Sequence, residues 1–245
     1  MDIGGKSMLQ HLTDRLSVSQ YLDDIIICTS THPDDAILID KAKEWKVKSF
    51  AGSERDVLNR FTMAAQKFDS DHIVRVTGDN PLTCPVAIDR MIERHVETDA
   101  DYTRTNDLPV GVAAEVMNVR MLEPLARLIP DPTYSGYMVL YAFDPEHFHC
   151  EVLTASPEVN RPNYSLTVDT PDDLAFMRHI FKNVKHGEAG PAIVDVVKFL
   201  DLNQEYNGIS DDLEFKMPGG STMSFKDFKA MMQERTINSC RRENT

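Results

Sequence analysis

Apolar positions follow two periods along this chain, and the switches between them predict an alternation of helices and strands. Met8, Leu9, Leu12 and Leu16 recur at helical spacing, and the β-branched run Ile25-Ile26-Ile27 then predicts a buried strand ending at Ser30-Thr31. His32-Pro33-Asp34-Asp35 carries helix-start signals, so Ala36 to Glu44 reads as a second helix and Val47 to Phe50 as a second short strand. Ser53-Glu54-Arg55-Asp56 opens a third helix through Phe68. His72 to Val76 is a further strand, stopped where Thr77-Gly78-Asp79-Asn80-Pro81 punctuates the chain, and Pro85 to Val96 is the helix after it.

From Asp101 the pattern is less regular. Val112 to Val119 reads as a strand, Met121 to Leu128 as a helix, and Tyr137 to Ala142 and Glu151 to Leu153 as apolar stretches, and antiparallel additions are expected in this region. Ser165 to Val168 reads as a strand leading into a helix that Thr170 caps, Pro171 starts and two acids follow, running to about Val184. Ile193 to Leu200 is a short amphipathic helix. Asp211 to Met217 and Ser221 to Phe225, joined by Pro218-Gly219-Gly220, predict a small hairpin before a final helix near Met231, with Arg241 to Thr245 as a disordered tail.

Repeated strand and helix alternation predicts an α/β, Rossmann-like fold: a mainly parallel sheet with helices on both faces. The expected organisation is one α/β domain over residues 1–207 and a C-terminal extension over residues 208–245.

Composition narrows the function classes. The chain has 245 residues, 42% hydrophobic, enough for one sizeable core, and its longest apolar run is far shorter than the ~20 residues a membrane span needs. Met1 to Lys6 carries no signal-peptide pattern, so a cytoplasmic location is expected, and the sequon Asn163-Tyr164-Ser165 then carries no meaning. Cys28, Cys84, Cys150 and Cys240 are scattered without metal or disulfide spacing and read as reduced thiols. A net charge of −13 argues against nucleic-acid and anionic-membrane partners, though a local basic site for a small anion remains compatible with it.

Ligands of such sheets bind beyond the carboxyl ends of the strands, and two acids stand there: Asp79 after Ile73 to Val76, and Asp169 after Leu166 to Val168. Magnesium accepts one or two protein carboxylates when a nucleotide supplies phosphate oxygens. Taken singly, Asp79 reads rather as a turn residue and Asp169 as a polar stop before a helix cap.

Three segments in order, Gly52-Ser53-Glu54-Arg55-Asp56-Val57-Leu58-Asn59-Arg60-Phe61, Val74-Arg75-Val76-Thr77-Gly78-Asp79-Asn80-Pro81-Leu82 and Leu166-Thr167-Val168-Asp169-Thr170-Pro171-Asp172-Asp173-Leu174, resemble the spore coat polysaccharide SpsF-like cytidylyltransferases. These are relatives of the enzymes that make CMP-Kdo and CMP-sialic acid. Gly4-Gly5-Lys6-Ser7-Met8-Leu9 is similar to the family's segment before its first long helix, and the similarity extends more weakly to about Asn207.

The resemblance implies the nucleotide-diphospho-sugar transferase type of fold, with CTP and a sugar as substrates, Mg2+ as cofactor and a homodimer as the assembly. It makes Asp79 and Asp169 the metal ligands, with Arg75 supporting the strand end that carries Asp79. Arg55, Asp56 and Arg60 fall near the nucleotide, Lys6 near a phosphate or sugar carboxylate, and Glu115 near the sugar. From the residues alone, Asp56 lies three after Ser53 and equally completes a capping arrangement, while Lys6, Arg55 and Arg60 equally read as solvated charges. By analogy, the interface falls in the region from Asp101 to Glu151.

The chain departs from the pattern at its start. Relatives begin with a strand and a loop of the form Q-A-R-x-x-S-x-R-L-P-G-K around the triphosphate, and Met1-Asp2-Ile3-Gly4-Gly5 carries neither, so an apolar gap or a newly open edge is expected in the sheet. Tyr134-Ser135-Gly136-Tyr137 replaces a usual Glu-His-Val-Thr. A non-catalytic relative that keeps the fold is therefore the first rival reading. The second is a glycosyltransferase using Asp99-Ala100-Asp101 as a metal motif. His147-Phe148-His149-Cys150 lacks a fourth ligand at zinc spacing and reads as a polar loop.

Overall fold

A computed structural model describes residues 1–203 and 208–242, with the side chains of 240–242 outside the description. The expected domain junction at residue 207 therefore lies outside the described residues. In chain order the elements are β1 (Asp2–Ile3), β2 (Lys6–Ser7), α1 (Met8–Leu16), β3 (Ile26–Ser30), α2 (Ala36–Trp45), β4 (Lys48–Gly52), α3 (Val57–Phe68), β5 (His72–Arg75) and α4 (Pro85–Glu97). There follow β6 (Tyr102–Asn106), β7 (Glu115–Asn118), α5 (Leu122–Leu128), α6 (Val139–Ala142), β8 (Cys150–Thr154), α7 (Pro171–Asn183), α8 (Ile193–Asp201), β9 (Glu214–Lys216), β10 (Thr222–Ser224) and α9 (Phe225–Arg242).

Helices form where local chemistry fixes both their ends and one apolar face. Ser7 caps α1 by accepting from the Gln10 amide at 3.2 Å, and Met8, Leu12 and Leu16 bury the face that follows. Thr170 and Asp173 form a reciprocal capping box at the start of α7, with Pro171 in the first turn and Met177, Ile180 and Phe181 buried. In α4, Ile88, Met91 and His95 are fully buried at spacings of three and four, each apolar side chain contributing about 2 kcal/mol.

The sheet is mixed rather than mainly parallel. One part is β5-β7-β6-β8, in which β7 runs antiparallel to both neighbours while β6 and β8 are parallel; the other is the parallel pair β3-β4. β7 is one of the antiparallel additions expected in the irregular region from Asp101, whereas β8 in that region pairs parallel with β6. Side chains alternate across β5 and β7: Val74 and Val116 face α1 and α4, while Ile73 and Met117 face the cluster built by α3, α5 and α6. Helices thus cover both faces, as expected.

Three further expectations change. Ser165 to Val168 is extended but forms no ladder, because its bonds are divided between two segments: Leu166 N–H donates to Val110 O at 2.8 Å and Val168 N–H to Asp79 O at 3.0 Å. Gly111, at φ 87°, permits this approach, since a Cβ there would stand 2.6 Å from the Thr167 amide. The apolar stretch from Tyr137 is helical, not strand-like, passing from a 3-10 turn over 132–137 into α6. Arg241 and Arg242 belong to α9 rather than to a tail, and residues 243–245 lie outside the described residues. The expected hairpin is present as antiparallel β9-β10, and α9 seats Phe228, Met231 and Met232 on the α3–α5 cluster. No helix among the described residues is long and apolar enough to cross a membrane.

A carboxylate pair beyond the strand ends

Strand β5 ends at Arg75, and two residues later the chain turns through Thr77 to Thr83. The Thr77 hydroxyl donates to Asp79 Oδ1, the Asn80 side-chain amide donates to Thr77 Oγ1 at 2.6 Å, and the Thr83 amide and hydroxyl both bond Asn80 O. The turn is thereby fixed on its own side chains, and Asp79 is held half-buried. The bond from Val168 to the Asp79 carbonyl brings the second segment alongside, so Asp169 follows at the same end of the sheet.

The two carboxylates are coupled. Burial, and then the neighbouring Asp79 charge, push the Asp169 carboxyl above its ordinary range, while a hydrogen bond from Thr167 and the charge of Asp173 oppose and add to that shift respectively. No Lys or Arg among the described residues is paired with either acid. Asn80 adds a buried side-chain oxygen that has no hydrogen-bond partner. Two neighbouring carboxylates are oxygen donors of the kind a hard divalent cation takes.

The other residues singled out in the sequence fall in distinct surroundings. Arg75 and Glu115 are directly opposite on β5 and β7 and form a largely buried ion pair, with Arg75 also reaching the Gly136 carbonyl at 3.4 Å. The second Glu115 oxygen accepts from the Tyr102 hydroxyl at 2.5 Å, so both of its oxygens are engaged. This pair stands at the same end of the sheet as Asp79. Lys6 pairs with Asp14 at 2.5 Å. Asp56 is the N-cap of α3, accepting from the Asn59 amide at 2.9 Å, and Ser135 reaches both that cap and the Val57 amide. Arg60 donates to Ser53 O at 3.0 Å, and Arg55 is exposed.

The rival metal motifs are occupied by protein partners. Asp99 and Asp101 both pair with Arg120 at 2.8 Å, and Asp101 also accepts from the His149 amide, at the opposite end of the sheet from Asp79. His147 pairs with Asp144, His149 lies 3.3 Å from Glu151, and burial pushes the Cys150 thiol up to about 12. No cluster of three His, Cys, Asp or Glu is present among the described residues.

Sequence reasoning missed Thr77 and Thr167, although a signal was visible: each acid is the third residue of a Thr-x-Asp triplet at the end of a segment read as a strand. It also missed Arg15, whose buried guanidinium ties Thr83 O to the carbonyls of Ala189 and Pro191 at 2.6–2.9 Å and so braces the turn behind Asp79.

Comparisons with known proteins bear on the family and the fold. The spore coat polysaccharide biosynthesis protein SpsF of Bacillus subtilis is 30% identical over 192 residues, covering 76% of this chain and 79% of its own. A cytidylyltransferase from Leptospira borgpetersenii superposes with a TM-score of 0.77 at 23% identity, covering 84% of this chain and 87% of that one. A CMP-2-keto-3-deoxy-manno-octonic acid synthetase solved with CTP superposes with a TM-score of 0.58 at 12% identity over 74% and 90% of the two chains. Residues 1–144, more than half of the chain, match the Cytidylyltransferase family, and the chain belongs to that family.

Proposed function

We propose that this protein transfers a cytidylyl group from CTP to a hydroxyl of a sugar acid, releasing pyrophosphate and forming a CMP-sugar for glycan synthesis. The observation that carries the reading is the convergence of Asp79 and Asp169 beyond the strand ends, with no Lys or Arg among the described residues paired with either. Such a pair is costly unless a ligand uses it. Membership of the family supports CTP as the nucleotide, and the CMP-sugar acid synthetase among the structural relatives supports the acceptor class.

In the reaction the sugar hydroxyl oxygen bonds to the α-phosphorus of CTP. The bond from that phosphorus to the oxygen bridging the α- and β-phosphates breaks, pyrophosphate leaves, and the hydroxyl proton passes to solvent. Bound Mg2+ supplies positive charge against the phosphate oxygens as they gain negative charge. Asp79 and Asp169 are the residues that would hold the ion. Thr77 and Thr167 fix the orientation of the two carboxylates. Glu115, bonded by Arg75 and by the Tyr102 hydroxyl, holds Arg75 at the strand end near Asp79.

Pyrophosphate release is the test, measured with CTP, Mg2+ and a panel of 2-keto-sugar acids. The reading expects release that depends on CTP, on one acid of the panel and on the metal. Release with a neutral hexose but with none of the acids would move the acceptor class; release unchanged in Asp79→Asn would remove the proposed site.

A further inference from the structure

Three strands of the mixed sheet bring two guanidiniums and one carboxylate into a single row. Arg75 on β5 and Arg104 on β6 both stand opposite Glu115 on β7, so the three side chains share a face, with the two arginine backbones about 10 Å apart across the sheet. The row lies at the end of β5 from which the chain runs into the Asp79 turn. Glu115 is bonded by Arg75 and by the Tyr102 hydroxyl. Burial and the Glu115 charge raise that hydroxyl well above its ordinary range, so it keeps its proton and donates. One carboxylate therefore serves one guanidinium, and the row carries one positive charge in excess.

That excess charge is Arg104. Its Nη1 donates to the Met232 sulfur at 3.1 Å, a weak acceptor, and its guanidinium carbon lies 5.1 Å from the centre of the Phe143 ring, which stacks on Tyr102. Nε is buried and has no hydrogen-bond partner, and no carboxylate among the described residues pairs with this arginine. A donor stripped of water without gaining an acceptor is costly. The last helix holds it there: α9 supplies Met232, its Thr236 accepts from the Asn106 side chain of β6 at 2.7 Å, and its Arg235 donates to the carbonyls of Leu140 and Phe143.

We infer that Arg104 receives the carboxylate of the acceptor, and so selects a sugar acid over a neutral sugar; the inference rests on the cytidylyl transfer proposed above. A planar guanidinium presents parallel N–H donors to the two oxygens of a carboxylate, and a single excess charge matches a monoanion. The CTP phosphates are drawn instead to Mg2+ at the two acids, so the two anionic substrates are sorted to different cations. With its carboxylate at Arg104, the acceptor lies across the row toward Arg75 and offers its hydroxyls to the Asp79 turn. Arg104 meets the substrate away from the reacting bond, so its effect falls on acceptor binding and discrimination.

The test compares each acid of the 2-keto-sugar acid panel with its carboxamide. Arg104→Met is expected to raise KM for the accepted acid by about 100-fold, to leave KM for CTP within a factor of two, and to shrink the preference for acid over carboxamide by the same 100-fold. Arg104→Lys, which keeps the charge and loses the planar fork, is expected to raise KM for the acid by about tenfold, and it carries the comparison should Arg104→Met not fold. An unchanged KM for the acid, or equal rises for acid and carboxamide, overturns the inference and leaves the activity standing. Should the chain release no pyrophosphate with any acid, the magnetic resonance signal of the Arg104 Nε–H group, assigned by its loss in Arg104→Lys, decides. A saturable shift with an acid and none with its carboxamide upholds Arg104 as a carboxylate receptor although cytidylyl transfer has failed. No shift with any acid, or equal shifts with acid and carboxamide, overturns the inference.

Discussion

The turns that carry Asp79 and Asp169 share a sequence pattern and differ in how the protein holds them. Thr77-Gly78-Asp79 is closed by side chains of its own segment: Thr77, Asn80 and Thr83 form one hydrogen-bonded unit, braced from behind by Arg15. Thr167-Val168-Asp169 borrows its order from elsewhere, through the Val168 bond to Asp79 O and the cap on α7, and its acid is exposed beside Asp173. One turn is a prebuilt anchor and the other is positioned against it. The Asp169 carboxyl is raised first by desolvation and then by the charge of Asp79.

The largest expected effect tests whether the pair acts as one unit. Asp79→Asn and Asp169→Asn should each lower metal-dependent pyrophosphate release by about 100- to 1000-fold, and the double variant should fall little further. Additive losses would mean that the two acids act separately. Thr77→Val should weaken Mn2+ affinity, read by the spin signal of the free ion, by roughly 10- to 100-fold, as removal of a ligand-orienting partner does. Thr167→Val should lose less, because the Val168 and Asp173 bonds still order that turn; equal losses would dissolve the contrast between the two turns.

A smaller effect concerns stability. Because the folded Asp169 carboxyl lies above its unfolded range, its contribution to stability is present below about pH 3.8 and is lost as pH rises through the raised value. Asp169→Asn should therefore raise the melting temperature at pH 7 in metal-free buffer by roughly one to two degrees, with the gain vanishing near pH 3. A lower melting temperature at pH 7 would show that the acid is held by a stabilising partner instead.

Most of the fold was legible where local chemistry alone decides. Pro85 and the spacing of Ile88, Met91 and His95 set α4, and Thr170, Pro171 and Asp173 set the start of α7. Which strands pair was not legible, because β7 shows the same short apolar run whichever neighbours it takes. Nor was the loss of a ladder at Ser165 to Val168, since it depends on Val110 and Asp79 arriving from distant parts of the chain. Of the site, the two acids were readable from their place after apolar runs. The partners of Asp56, Arg60 and Lys6 were harder to read. Ser53, Ser135 and Asp14 engage them in the folded chain, and only the Ser53–Asp56 relation was local enough to see.

The most direct test of the central claim is calorimetric titration of CTP into the intact chain and into Asp79→Asn, with and without Mg2+. The account predicts binding that requires Mg2+ and disappears in the variant. Binding that is indifferent to Mg2+, or that survives the substitution, would contradict the assignment of Asp79 and Asp169 as the site that receives the metal-bound nucleotide.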